Sequence, residues 1–104
     1  MTRLTLSATV LAVILVSGAD AQDVAAGEGI YQDVCRNCHG PTAKGMASFP
    51  KLAGHDPEYI ASRLEQYRAG EQVGPNTALM APHAADLSDA DIENIAGYVA
   101  TFEG

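Results

Sequence analysis

Apolar residues recur every three or four positions in three stretches of this chain, and no stretch alternates apolar and polar residues for long. Spacings of three and four bring side chains to one face of an α-helix, whereas alternation is typical of a half-buried strand. The pattern therefore predicts an all-α fold with three main helices, at about residues 23–38, 57–69 and 88–102.

The ends of the second and third helices carry residues that cap helices well. Asp56 suits the N-cap of the second helix, Pro57 its first turn and Gly70 the position after its end. Ser88 and Asp91 resemble a capping box, in which two side chains satisfy backbone N–H groups at the start of a helix. These residues predict the helix boundaries independently of the apolar pattern.

The apolar faces of the three helices differ in quality. Gly27 and Gly29 weaken the first helix, and glycines inside a helix often mark close packing against its backbone. The stripe of the third helix is the most regular. The side chains that we expect to face inward are Val24, Ile30, Tyr31, Val34, Cys35 and Cys38 on the first helix, Ile60, Leu64 and Tyr67 on the second, and Ile92, Ile95, Ala96, Val99 and Phe102 on the third.

Two long segments between the helices, residues 40–55 and 71–87, have no apolar period and are rich in glycine and proline. Loops of this length are uncommon in a compact domain unless they have a function. Three short helices are too few to hold so much irregular chain. We therefore expect something other than side chains to occupy the centre of the fold.

Residues 1–21 have the layout of a secretory signal peptide. Arg3 precedes an apolar run, Leu4–Val16, and an Ala-x-Ala cleavage site ends at Ala21. This run of 13 residues is shorter than the roughly 20 that a membrane-spanning helix needs. We therefore expect cleavage after Ala21 and a periplasmic protein of one domain, residues 22–104, with no membrane span.

The chain is acidic. It has 13 Asp and Glu residues against six Lys and Arg, a net charge of −7, and losing residues 1–21 removes one residue of each sign. Nucleic acid and anionic membranes are poor partners, because the sequence has no basic cluster to meet their phosphates. A protein partner with a basic surface suits this charge better.

The two cysteines stand three apart in CRNCHG, residues 35–40, and His39 follows the second. A disulfide between them would remove little chain entropy. A thioredoxin-like dithiol follows a strand and a structural zinc site needs four ligands, but the sequence has neither a strand pattern nor a second cysteine pair. Cys-x-x-Cys-His is a signature of covalent haem attachment, with Cys35 and Cys38 bonded to the porphyrin and His39 on the iron. Haem would also fill the predicted centre.

Iron bound by His39 has a second axial position, and four side chains are candidates for it. We expect Met80, because it lies in the middle of the 71–87 segment and is far enough along the chain to reach the opposite face. Met46 follows His39 by only seven residues and should stay on the same side. His83 would give a bis-histidine haem of lower potential, and His55 is expected on the solvated surface.

With both ligands chosen, residues 23–104 resemble a class I c-type cytochrome of the small bacterial monohaem kind. The resemblance rests on CRNCHG, on FPKLAG at 49–54, on LMAP at 79–82 and on LSDADIENIAGYVATF at 87–102. It implies the cytochrome c fold, in which three main helices and long loops wrap around one covalently bound haem c.

The resemblance also implies roles for residues outside the cysteine motif. Pro50 would offer its carbonyl to the second ring nitrogen of His39, and Leu52 would pack on the haem. Fixing the far nitrogen of a ligating histidine sets its tautomer and its basicity. The first and last helices would cross where Gly27 and Tyr31 meet Gly97 and Tyr98.

The function that the resemblance implies is one-electron transfer and not an enzymatic reaction, because His39 and Met80 would leave no iron position for a substrate. Such carriers exchange electrons with dehydrogenases, the cytochrome bc complex or terminal oxidases. Two other functions stay open. One is a cytochrome subunit of a periplasmic dehydrogenase complex acting on a sulfur compound or an alcohol, and the other is a haem enzyme or gas sensor in which Met80 is displaced.

Overall fold

The computed structural model describes residues 5, 7–10 and 22–104. The signal peptide expected at residues 1–21 falls mostly on residues outside that description. Among the described residues, no helix has both the length and the apolar character to cross a bilayer. Residues 22–104 form helices and irregular segments, joined by one isolated bridge between Met46 and Phe49.

The first predicted helix is confirmed and consists of three consecutive parts. Helix α1, Val24–Ile30, runs into a π-helical segment, Tyr31–Cys35, and then into α2, Arg36–His39. The Asp23 side chain accepts the Ala26 N–H and caps the start. Gly40 ends the helix with a φ of +85°, which glycine adopts without strain.

The prediction of the inward face was wrong for two residues of this helix. Val24 is 40% exposed and Val34 is 37% exposed, whereas Tyr31 is fully buried. Val24 lies in the first turn, at the open end of the helix. Val34 lies in the π-helical segment, where the wider turn breaks the 3.6-residue spacing on which the prediction depended.

The second predicted helix is α3, Pro57–Arg68, followed by Gly70 with a φ of +77°. Asp56 occupies the N-cap position, but its side chain accepts no capping hydrogen bond, which corrects the prediction. The reason is that the Tyr59 N–H, which the side chain would accept, donates to the backbone carbonyl of Asp56 at 3.0 Å. Pro57 has no N–H to offer.

The third predicted helix is α5, Asp89–Val99, and its capping box is confirmed. Ser88 Oγ accepts the Asp91 N–H at 3.0 Å, and Asp91 Oδ2 accepts the Ser88 N–H at 3.0 Å. A side-chain cap of this kind stabilises a helix by about 1 kcal/mol. The inward stripe is also confirmed, since Ile92, Ile95 and Val99 are buried.

The segment predicted as an irregular loop at residues 71–87 contains a further helix, α4, Thr77–Ala84. Pro82 lies inside it, and prolines interrupt helices, so the sequence concealed this element. Thr77 supplies a local anchor: its Oγ1 accepts the N–H groups of Val73 and Gly74 and donates to the Gly74 carbonyl at 2.7 Å. The other predicted irregular segment, residues 40–55, contains no helix.

The first and last helices cross at the centre of the fold, as the resemblance implied. Gly27 lies directly against the backbone of Asn94 and Ile95. Next to this contact, the Tyr31 and Tyr98 rings pack with their centroids 5.5 Å apart. One detail differs from the expectation: Gly97 faces the side chain of Gln22 and not Gly27.

Helix α3 packs across α5 and completes one side of the core. Ile60 and Leu64 of α3 are buried in the same cluster as Ile92, Ile95 and Val99 of α5. Full burial of an aliphatic side chain of this size stabilises the fold by about 1.5–3 kcal/mol. Ile60 and Leu64 also border a cavity beside α3.

Replacing Gly27 by alanine should destabilise the protein, because a Cβ atom there would overlap the Asn94 backbone, which cannot rotate away as a side chain can. We expect the free energy of unfolding to fall by about 2 kcal/mol or more, the scale of overpacking. Gly29→Ala is the matched control, since its Cβ would meet nothing within 4 Å. It should leave stability unchanged or raise it by up to about 1 kcal/mol. Denaturant unfolding measures both variants, and equal stabilities would contradict the close crossing.

Candidate functional site

A cavity of about 460 Å³ lies between α3, α4 and the segment that follows His39. This volume is in the range of about 300–1,000 Å³ that small-molecule and cofactor sites occupy. Most of its wall is apolar. The side chains that give it this character include Phe49, Leu52, Ile60, Leu64, Leu79 and Ile95.

His39 lies at the end of α2, is only 8% exposed and forms part of the cavity wall. Its Nδ1 lies 2.8 Å from the carbonyl oxygen of Pro50. A carbonyl can only accept, so Nδ1 carries the proton and Nε2 is the nitrogen with a free lone pair. A histidine held in this way is oriented to ligate a metal through Nε2.

The backbone around His39 is fixed by further hydrogen bonds. The Gly45 N–H donates to the His39 carbonyl at 2.8 Å, and the Leu52 N–H donates to the Ala43 carbonyl at 2.9 Å. Tyr31 OH donates to the Gly40 carbonyl at 2.6 Å from inside the core. These contacts fold residues 40–53 back onto α2, which brings the Pro50 carbonyl to the imidazole.

Cys35 and Cys38 are half-buried and form no disulfide with each other. Cys38 belongs to the cavity wall, and Cys35 packs against the hydrophobic core. Burial raises the pKa of the Cys35 thiol to about 11. Because the thiolate is the nucleophile in disulfide exchange, a neutral Cys35 argues against a redox dithiol.

Three of the four candidates for the second axial ligand line the cavity: Met80, His83 and His55. Met80 is half-buried on α4 and packs against the core. Met46 is 45% exposed and is not among the lining residues, in agreement with the expectation for it. His55 is exposed as expected, yet its ring stacks on Tyr59 at 4.5 Å beside the cavity.

The charged side chains that line the cavity, Lys51 and Arg63, are both basic. This is notable in a chain with 13 acidic and six basic residues. Arg63 Nε donates to Tyr59 OH at 3.3 Å, and the guanidinium lies 5.3 Å from the centre of the Tyr59 ring. The wall therefore favours a ligand that carries carboxylate groups.

Sequence reasoning missed Arg63, Tyr59 and Lys51 as site residues. A signal for two of them was present on α3, because Tyr59, Arg63 and Tyr67 follow one another at spacings of four and so share a helix face. All three line the cavity. For Lys51, which lies in an irregular segment, no such spacing exists.

The residues present fit a haem on observations of this structure. The cavity is apolar, as a porphyrin requires, and its basic residues match the two carboxylates of the porphyrin edge. His39 and Met80 would hold the iron, and Cys35 and Cys38 would hold the ring. Imidazole and thioether are ligands that iron accepts in proteins.

Comparisons with known proteins agree with this fit. A family model described as cytochrome c oxidase, cbb3-type, subunit III, matches residues 22–99. The chain is 41% identical over 91 residues to cytochrome c-554(547) of Halothiobacillus neapolitanus, covering 80% of this chain and 100% of that protein. It is 43% identical over 84 residues to cytochrome c-554(548) of Halomonas halodenitrificans, again covering 80% of this chain and 100% of that protein.

A solved structure shows the same fold. Reduced recombinant cytochrome c4 from Pseudomonas stutzeri superposes with a TM-score of 0.69 and 32% identity, covering 77% of this chain and 48% of that chain. The present chain therefore corresponds to about half of that longer protein. The helical arrangement and the absence of strands among residues 22–104 agree with this similarity.

The Tyr31 hydroxyl should make stability depend on pH in the alkaline range. Burial first, and then the neighbouring Cys35 and Tyr98, raise its pKa from 10.0 to about 12. The folded protein therefore keeps a proton that the unfolded chain releases, so the contribution is complete below about pH 10 and is lost as the pH rises toward 12.

Tyr31→Phe removes both this titration and the hydrogen bond to Gly40. At pH 8 we expect the variant to be less stable by about 1–2 kcal/mol, because a buried carbonyl loses its partner. The deficit should shrink by about 1 kcal/mol between pH 8 and pH 11. Urea unfolding of both proteins at the two pH values measures it, and a deficit independent of pH would contradict the raised pKa.

Proposed function

Because the chain belongs to the class I c-type cytochromes, we propose that it is a periplasmic one-electron carrier with a single covalent haem c. The family carries haem c and its members transfer electrons. The finer assignment is ours: Cys35 and Cys38 form the thioether bonds, and His39 and Met80 are the axial ligands. The signal peptide at residues 1–21 is part of the proposal, since it delivers the chain to the compartment where such carriers work.

The observation that carries the proposal is the convergence of His39 and Met80 on one apolar cavity. The two come from separate elements, α2 and α4, and both line the cavity wall. His39 is held by the Pro50 carbonyl at 2.8 Å, so its orientation does not depend on a ligand. Leu52, two residues after Pro50, lines the same cavity and supports the role proposed for it.

The chemistry that the bound haem supplies is the uptake and release of one electron at iron. The protein would set the reduction potential of the iron and would occupy both of its free positions with side chains. A methionine opposite a histidine raises the potential relative to two histidines. With His39 and Met80 on the two axial positions, no position is left for a substrate, which is why we propose a carrier and not an enzyme.

The electron donors and acceptors that we propose are redox proteins with a basic docking surface. The net charge of −7 favours such a partner and speeds encounter with it at low ionic strength. Acidic side chains are exposed on several elements, among them Glu58 and Glu65 on α3 and Asp89 and Glu93 on α5. A dehydrogenase, the cytochrome bc complex and a terminal oxidase are the classes that fit this role.

A second candidate is a cytochrome subunit held permanently in a larger redox complex, such as a periplasmic dehydrogenase acting on a sulfur compound or an alcohol. The observation in its favour is that the matching family model is described by an oxidase subunit. Against it, the match to the two cytochromes c-554 runs the full length of those proteins. Co-purification from the native membrane and periplasm separates the two candidates.

Substitution of Met80 tests the proposed ligand directly. The oxidised wild-type protein should show the weak sulfur-to-iron charge-transfer band, and Met80→Ala should abolish it. The reduction potential should fall by on the order of 0.1–0.3 V, a fraction of the roughly 0.8 V range that axial ligands span. Visible and near-infrared spectra with redox titration give both readings.

Met46→Ala is the matched control, because Met46 is 45% exposed and is not among the residues that line the cavity. It should keep the charge-transfer band and change the potential little. A wild-type spectrum without the band, or a band that survives in Met80→Ala, would remove Met80 from the iron.

A further inference from the structure

His83 lies on the same helix as Met80, three residues further along, and lines the same cavity. Residues three apart on an α-helix occupy one face, with their Cβ atoms about 5–6 Å apart. The cavity therefore has two potential iron ligands on the α4 wall, a thioether and an imidazole. The proposed function uses only the first of them.

The His83 side chain is exposed, and within residues 22–104 no hydrogen bond, ion pair or aromatic contact engages its imidazole. The other additional histidine at the cavity differs in this respect. The ring of His55 stacks on Tyr59 at 4.5 Å with an angle of 21° between the planes. His55 lies in the segment between Pro50 and α3, and not on α4. Of these two histidines, His83 is the one that lies on α4 beside Met80.

Helix α4 is short, and a proline lies between Met80 and His83. It has eight residues, whereas isolated helices shorter than about 12–15 residues are marginal in water. Asn76 makes no side-chain cap, and Pro82 removes a backbone hydrogen bond directly before His83. Thr77 ties the N-terminal end to the fold through its bonds to Val73 and Gly74, and the fully buried Ala84 ties the C-terminal end. Between these two ends, Pro82 interrupts the backbone hydrogen bonding and separates Met80 from the exposed side chain of His83.

We propose that His83 is a reserve ligand, whose imidazole binds the iron when the Met80 thioether is lost or displaced. The exchange breaks one sulfur–iron bond and forms one nitrogen–iron bond, with no change in oxidation state. Residue 83 lies about 4.5 Å further along the helix axis than residue 80, which is slightly less than one turn, so bringing His83 to the iron needs a shift of about that length. Iron held by His39 and His83 would have a lower reduction potential than iron held by His39 and Met80. It would also have no free position for an external ligand, unlike iron held by His39 alone.

The inference rests on the proposed His39 and Met80 ligation, and its test uses the haem-loaded protein at pH 8. Three variants are compared: Met80→Ala, Met80→Ala with His83→Asn, and Met80→Ala with His55→Asn as the matched control. Electron paramagnetic resonance reports the spin state and the nitrogen ligands, and azide titration of the oxidised protein reports an open site.

We expect Met80→Ala to be low-spin with two nitrogen ligands. Azide should bind it at least tenfold more weakly than it binds the Met80→Ala, His83→Asn variant, which should be high-spin. The control with His55→Asn should behave like Met80→Ala. If a double variant does not fold, a high-spin Met80→Ala still overturns the proposal, and the azide affinity of Met80→Ala with His83→Gln in place of His83→Asn tests which histidine is bound.

A high-spin Met80→Ala that binds azide as tightly as the His83 double variant would overturn the reserve ligand. In that case the wild-type sulfur-to-iron band still decides whether Met80 is the resident ligand, so the two proposals fail separately. A wild-type protein that lacks this band, and whose spectrum changes in His83→Asn alone, would make His83 the resident ligand. That result would overturn both the reserve role and the proposed Met80 ligation.

Discussion

The rest of the structure depends on one constraint, which is that apolar side chains of α3, α4 and the segment after His39 line a cavity. A closed and empty cavity of about 460 Å³ would cost on the order of 10 kcal/mol at the rate measured for cavities in protein cores. Water entering from the open side lowers this cost, but the whole stability of a small domain is only about 5–15 kcal/mol. A haem bonded to the chain, as we propose, would fill this cavity, so the cofactor would be a part of the core as well as the redox centre.

The rigid parts of the fold serve to present His39 to that cavity. The crossing at Gly27 fixes the first helix against α5, and Tyr31 extends this fixed region through its bond to Gly40. The chain then turns back so that Pro50 accepts the Nδ1 proton of His39. The opposite wall has another character, because α4 is short, lacks a side-chain cap and contains a proline. The site thus combines His39, on a frame held by several hydrogen bonds, with Met80, the other proposed ligand, on a short helix that contains a proline.

Local signals predicted α5 and the end of α3 from the sequence, because a capping box and a terminal glycine act within a few residues. Helix α4 could not be predicted in that way, because Pro82 lies inside it and because its support includes packing on α3, which only the completed fold provides. The choice of Met80 as the second ligand used only its position along the chain relative to His39, and the structure places Met80 in the cavity wall. The spacing of Tyr59, Arg63 and Tyr67 puts Arg63 on a shared helix face, but only the completed fold shows that this face lines a cavity.

The central claim is that the cofactor completes the core. Denaturant unfolding monitored by circular dichroism tests it most directly, when the haem-loaded protein is compared with the Cys35→Ser, Cys38→Ser double variant. The two chains differ only at residues 35 and 38, where the variant has oxygen atoms in place of the two sulfur atoms that would bond the porphyrin. We expect one cooperative transition for the haem-loaded protein. We expect no cooperative transition for the variant, because it would lack covalent haem and its cavity would stay unfilled. A variant free of haem that unfolds cooperatively at a similar denaturant concentration would contradict the claim that the cofactor completes the core.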